Sequence, residues 1–277
     1  MRSFLNRAKF PNAHITGPSY GHLPEFADDK LSWFTEWAAF IAQNNSVPDA
    51  VSMHFLYDDG DLATSISTMQ GFLKDAGIEY TAPFMINEYG SINQEQPSGS
   101  SWQISQHERN EAWGLKSNWR GEGEIHDYLA NIIGKASVYP NYNASDADYW
   151  PTKLWPVYRY YGSVMKGYRV RTEETPDKRG DAYTVVNSDD RKVRILTGTR
   201  GSTGPWAISV NGLETLGLDS SGSVDVHTLY FRPGDLYEEV DGTVDQGISS
   251  YSYTDGSLVI TIPQSDADGA SAFEFSY

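Results

Sequence analysis

Between Tyr80 and Gln94 the sequence YTAPFMINEYGSINQ is apolar from Ala82 to Ile86 and then presents Asn87, Glu88, Tyr89 and Gly90. A carboxylate at the end of a core strand costs free energy unless it is paired or used. Glu88 in such a place can cap a loop, pair with Arg109, or attack an electrophilic carbon. Parallel β/α folds gather reactive groups at the carboxyl ends of their strands. Two further strand ends carry suitable chemistry. One is Gly17-Pro18-Ser19-Tyr20. The other has Ser52, His54 and Leu56 on one face, followed by Tyr57, Asp58 and Asp59. Val51, Met53 and Phe55 then face outer helices, which turns His54 inward, either as a core histidine or as a partner for Glu88.

The elements that position these groups follow from hydrophobic periodicity. NAHITGPS (12–19), DAVSMHFLY (49–57) and YTAPFMINEYG (80–90) read as strands. LSWFTEWAAFIAQNN (31–45) and LATSISTMQGFLKDAG (62–77) have apolar residues at helical spacing, with Gly77 as a C-terminal cap. SSWQISQHERNEAWGLKSNWR, from Ser100, reads as one long helix, followed by helical GEIHDYLANIIGK and LWPVYRYYGSVMKG. This alternation implies parallel strands with right-handed crossovers. Trp33, Trp37, Trp113 and Trp119 fall on helical patterns and are expected in cores. Trp102 falls in the loop after the Glu88 strand, as a stacking platform or a packing residue.

After Gly167 the pattern is all-β: seven or eight short strands separated by Asp, Gly, Ser and Asn, with Asp255-Gly256 as a hairpin signal. Such a run indicates a β-sandwich, with Trp206 in its core. Only about four strand–helix units precede it, whereas a closed (β/α)₈ barrel needs eight.

Composition narrows the partners. The formal charge of −16 argues against nucleic acid and anionic membranes. The 13% aromatic content suits flat, neutral, sugar-like surfaces. There is no cysteine, and the six histidines form no HExxH, so neither a metal site nor another cofactor is expected. The acidic cluster Asp58, Asp59 and Asp61 reads as a solvated turn or as a cation or hydroxyl site. No apolar run reaches the roughly 18 residues of a membrane helix, and MRSFLNRAKFPNAH has no apolar stretch of the secretory-leader kind.

FMINEYG resembles strand seven of the clan A glycoside hydrolases, AHITGPSYG the fifth and AVSMHFLYDDG the sixth. The whole chain is similar to fungal proteins of the glycoside hydrolase family 39 type, in which a β-sandwich follows the barrel. The resemblance implies a partial (β/α)₈ barrel, about strands five to eight, over residues 1–166, and an antiparallel β-sandwich over 167–277. It implies Glu88 as the nucleophile, with His54, Tyr57, Tyr20, Tyr89 and Trp102 binding carbohydrate, no metal, and secretion from the cell. The family's acid/base glutamate ends strand four, usually after an asparagine. The first ten residues hold no Asn-Glu pair, and Asp58 and Glu25 are the nearest stand-ins. The expectation is therefore a truncated retaining hydrolase of β-linked poly- or oligosaccharide, with open barrel edges inviting self-association. The rivals are a noncatalytic carbohydrate-binding protein and an inactive fragment.

Overall fold

The computed structural model describes residues 10, 12–26, 31–116, 128–129, 132–135 and 149–277. They form a mixed α/β structure with one parallel sheet and three antiparallel ones. Two compact units divide it: residues 1–91 with 110–117, and residues 92–109 with 118–277.

The first unit contains β1 (Thr16–Tyr20), α1 (Leu31–Gln43), β2 (Ala50–Phe55), α2 (Leu62–Asp75), β3 (Phe84–Tyr89) and β4 (Trp113–Lys116). The strands pair in parallel in the order β1-β2-β3-β4, and among the described residues β1 and β4 each have a single strand neighbour. β2 is central and its side chains are buried on both faces except at His54, as expected of a strand covered on both sides. α2 starts at Asp61, whose carboxylate accepts from the Thr64 N–H at 2.7 Å. It buries Leu62, Ser65, Met69 and Leu73, one stripe at helical spacing. Phe34 of α1 stacks on Phe72 of α2 at 5.5 Å.

Here the sequence reading of one long helix fails. The helix ends at Arg109, and the residues WGLK supply β4. Four residues that are mostly exposed carry no alternation of burial, so their apolar spacing looked helical. Trp113 is 53% exposed and Trp33 37%, so neither is a core residue, while Trp37 is half-buried. Trp119 and most of 123–135 lie outside the described residues. Tyr128–Leu129 and Ile133–Lys135, expected in a helix, are strands.

In the second unit, α3 (Pro97–Arg109) packs on β9 (Gly180–Asn187), β10 (Lys192–Thr199) and β15 (Ala270–Ser276). Its first eleven residues are buried although they include Ser98, Ser100, Ser101, Gln103, Ser105 and Gln106. Contact is close because Gly198 of β10 lies under the helix; a Cβ there would meet the Ser98 carbonyl oxygen at 2.1 Å. The far end is tied by Arg109, which donates to both oxygens of buried Asp181 at 2.7 and 2.6 Å. α4 (Trp155–Ser163) covers a second apolar cluster that includes Ile104, Tyr160, Leu196 and Phe231.

The remaining strands are β5 (Tyr128–Leu129), β6 (Ile133–Lys135), β7 (Tyr149–Pro151), β8 (Tyr168–Arg169), β11 (Trp206–Asn211), β12 (Gly222–Phe231), β13 (Val244–Tyr253) and β14 (Ser257–Ile262). Six of the antiparallel strands run in the order β13-β12-β15-β10-β9-β8, β11 pairs with β14, and β5-β6-β7 form a small sheet. One apolar core takes Ile195, Val226 and Phe273 from the six-stranded sheet and Leu258 and Ile260 from β14, with Trp206 packed against it. Asp255 and Gly256 adopt φ of +51° and +63°, as a tight turn requires. Thr254 and Ser257 pair antiparallel across this turn, each donating its N–H to the other's carbonyl at 3.3 and 2.9 Å, so it closes a hairpin of a single bridge. Beyond that pair the strands part, β13 joining β12 and β14 joining β11.

Candidate active site

Glu88 reaches its place through an irregularity in the strand pairing. Met53 faces Ile86 across β2 and β3, but His54 faces Glu88, so Asn87 is an extra residue in β3. A bulge of this kind re-aims the side chains that follow it. It brings Glu88 Oε2 to 3.3 Å from His54 Nδ1, with the two side chains 37% and 19% exposed. On the other side of the ring, Asn87 Nδ2 lies 3.3 Å from His54 Nε2. With the Asn87 amide in this orientation its N–H donates to Nε2, which leaves Nδ1 as the ring nitrogen that can donate to the carboxylate. The trio therefore supplies a half-exposed carboxylate with an oriented donor beside it.

The neighbouring strand ends carry further polar and aromatic residues, and one of them approaches His54. At the end of β1, a Cβ on Gly21 would lie 3.9 Å from His54 Nδ1. Tyr20 stacks on Trp33 at 4.3 Å and meets Phe34 edge-on, which fixes its ring. The Tyr57 hydroxyl is hydrogen-bonded to His22 Nδ1, the two rings lie 5.7 Å apart, and Phe26 meets Tyr57 edge-on. Tyr20, His22, Phe26 and Tyr57 thus form an aromatic cluster beyond β1 and β2. β4 ends in Lys116, whose ammonium lies 5.6 Å from the centre of the Tyr89 ring; Gly90, at φ +92°, leaves room for it.

The two aromatic residues expected to touch sugar beside these are placed otherwise. Tyr89 is 6% exposed, since alternation along β3 turns it away from the Glu88 face. Trp102 is 1% exposed inside α3, with the Arg200 guanidinium 4.3 Å from the centre of its ring. A buried ring offers no face for stacking.

The stand-in carboxylates are also engaged. Glu25 accepts from the backbone N–H of Asp61, and Gly60, at φ +97°, permits that approach because a Cβ there would meet Glu25 at 2.6 Å. Asp58 accepts from the Ser91 hydroxyl, and Asp61 caps α2. The acidic cluster is thus largely a fold device. Among the described residues no group of three His, Asp or Glu side chains could hold a metal ion, and no helix is long and apolar enough to cross a membrane.

Two residues at these strand ends, His22 and Lys116, were not singled out from the sequence. His22 stands two residues past Tyr20 in the same strand-end loop, so following that loop further would have found it. Lys116 carried no signal, because its strand read as helix.

No protein-family model and no curated protein matches this sequence. Solved structures do. A protein of Neocallimastix frontalis superposes with a TM-score of 0.77 at 21% identity, over 99% of this chain and 63% of its own. A β-porphyranase of glycoside hydrolase family 86 from the human gut bacterium Bacteroides plebeius gives 0.59 at 15%, over 98% and 49%. A Paenibacillus polymyxa xyloglucanase of family 44 gives 0.56 at 10%, over 99% and 59%. The chain shares its fold with these structures, two of which are glycoside hydrolases, of families 86 and 44. At these identities the likeness is one of fold alone, and the chain spans between about half and 63% of the lengths of these structures.

Proposed function

We propose that this chain is part of a secreted, retaining glycoside hydrolase acting on β-linked poly- or oligosaccharide, with residues 1–166 a partial barrel and residues 167–277 a β-sandwich. The observation that carries the reading is the bulge at Asn87, which sets the Glu88 carboxylate beside an oriented His54 N–H at a parallel strand end. In the first step Glu88 attacks the anomeric carbon and forms a glycosyl ester, while the departing oxygen takes a proton from a second carboxyl group. Water then cleaves the ester, losing its proton to that second group. Retaining geometry needs the two carboxyl groups about 5–5.5 Å apart. Glu25 holds the Asp61 N–H and Asp58 the Ser91 hydroxyl, and neither stands at the strand-four position, so in this reading the second group comes from a part of the enzyme beyond these 277 residues. The span of the matched structures, all longer than this chain, supports that assignment.

The test uses a leaving group that departs without protonation, which removes the need for the second carboxyl group. With 2,4-dinitrophenyl 2-deoxy-2-fluoro-β-glucoside and the matching xyloside, the chain should release at most one dinitrophenolate per molecule. Mass spectrometry should then find the fluorosugar on the peptide containing Glu88, and Glu88→Gln should abolish both signals while leaving the melting temperature unchanged. Saturable binding of the sugar with no adduct would overturn the catalytic reading in favour of a noncatalytic carbohydrate-binding protein. An adduct on another carboxylate would reject Glu88 as the nucleophile.

A further inference from the structure

In the second unit a cavity of 260 Å³ opens between the six-stranded sheet and the end of β14. Its walls are polar with aromatic faces, and none of its lining residues is Lys or Arg. Tyr230 donates its hydroxyl proton to Asp266 Oδ2 at 2.9 Å, and Oδ1 of the same carboxylate accepts from the Asp268 N–H at 2.9 Å. A carboxylate has about four acceptor positions and a phenol oxygen keeps lone pairs after donating, so both retain capacity toward a ligand.

The wall that carries Asp266 is held with unusual firmness. Gln264 adopts φ +40° and is nearly buried, and its amide nitrogen donates to the carbonyls of Asp266 and Gly269 at 2.7 and 2.9 Å. Gly269 has no Cβ, and one there would meet the Tyr230 hydroxyl at 2.2 Å. Backbone outliers persist where the surroundings over-determine them, and they gather at ligand sites. The opposite rim is reshaped as well. Leu229 pairs with Asp245 but His227 pairs with Ile248, so β13 carries one extra residue at Gln246–Gly247, with Gly247 at φ +81°. This bulge lies where Gln246 joins Tyr251 in lining the cavity.

We propose that this cavity binds one terminal residue of a neutral carbohydrate, separately from the Glu88 site. Asp266 and Gln246 would hold its hydroxyls, and the Tyr251 ring would meet its apolar face. An anion would find a carboxylate and no cationic side chain. The volume suits a single pyranose ring and not an extended chain. The choice of a sugar over another polyol rests on the glycosidase reading above; the polar geometry of the cavity does not.

The test is saturation-transfer NMR and calorimetry on the full chain with methyl β-glucopyranoside, β-xylopyranoside and β-galactopyranoside. At least one should bind, with Kd of about 1 mM, a strength suited to a single ring. Gln246→Ala and Tyr251→Ala should each weaken binding about tenfold and leave the rate of fluorosugar adduct formation unchanged. Gln246 is exposed, so that variant keeps the fold even if the tyrosine variant does not. Glu88→Gln should retain the binding. Absence of binding by all three glycosides, or binding indifferent to Gln246→Ala, would overturn the proposal. Binding lost in Glu88→Gln would overturn it too, by placing the sugar at the other site. A missing adduct at Glu88 with binding intact would sink the catalytic reading alone.

Discussion

At the scale of single residues, the candidate site depends on a proton's address. Asn87 holds His54 in the tautomer that points Nδ1–H at Glu88, so Asn87→Ala should leave the carboxylate present but less well oriented. Misplacement by about 1 Å can cost about 10²-fold. The expected result is a burst of dinitrophenolate slowed by about 10- to 100-fold, with the melting temperature nearly unchanged. A burst of unaltered rate would remove Asn87 from the machinery. A second residue-scale prediction concerns His107, which burial in α3 pushes down to about 4, against the raising effect of its bond to the Gln103 carbonyl. An unfolded histidine takes up its proton near the ordinary value of about 6.5. Between those values the unfolded chain binds more protons than the folded one, so the neutral, buried histidine favours folding above about pH 6.5, and this contribution is lost as pH falls toward 4. Denaturant titrations at pH 7 and pH 5 should show the wild type losing more stability than His107→Gln. Equal losses would assign the acid sensitivity elsewhere.

At the scale of elements, what could be read from the sequence was what alternates. The strands after Gly167 announce themselves by period-two patterning and by turn residues such as Asp255-Gly256, β2 by apolar residues alternating with Ser52 and His54, and β3 by the apolar run that ends at Ile86. β4 has four residues and no buried alternation, so its apolar spacing imitated a helix. α3 misled in the opposite sense. Its serines and glutamines look solvent-facing, yet the helix is buried because Gly198 lets the backbones of β10 and α3 approach until serine fits where leucine would not. Burial of Trp102 follows from that approach, and no local pattern reports it. In the site, residue types and strand ends were legible, while the pairing slip at Asn87 depends on the register between two strands. Gly198→Ala should therefore cost about 1–3 kcal/mol or more, as overpacking does. Urea titration of the variant would show it; a midpoint equal to wild type would mean that the helix can lift away without loss.

At the scale of the whole molecule, α3 belongs by packing to the second unit and by sequence to the stretch between β3 and β4. A fragment of residues 167–277 would lose Ile104, Val157 and Tyr160 from the cluster around Leu196 and Phe231. It should bind a hydrophobic dye and elute from a sizing column as aggregate. A dye-free fragment with a sharp melt would show that the strands suffice alone. The chain passes between the two units three times, after Ser91, Arg109 and Ser117. Heredity feels this too. A module whose boundary is one peptide bond can be duplicated, fused or lost in a single recombination, but one with a helix stored inside its neighbour's sequence has no such breakpoint. A cut or fusion at any single peptide bond therefore leaves at least one unit without a segment that packs into it.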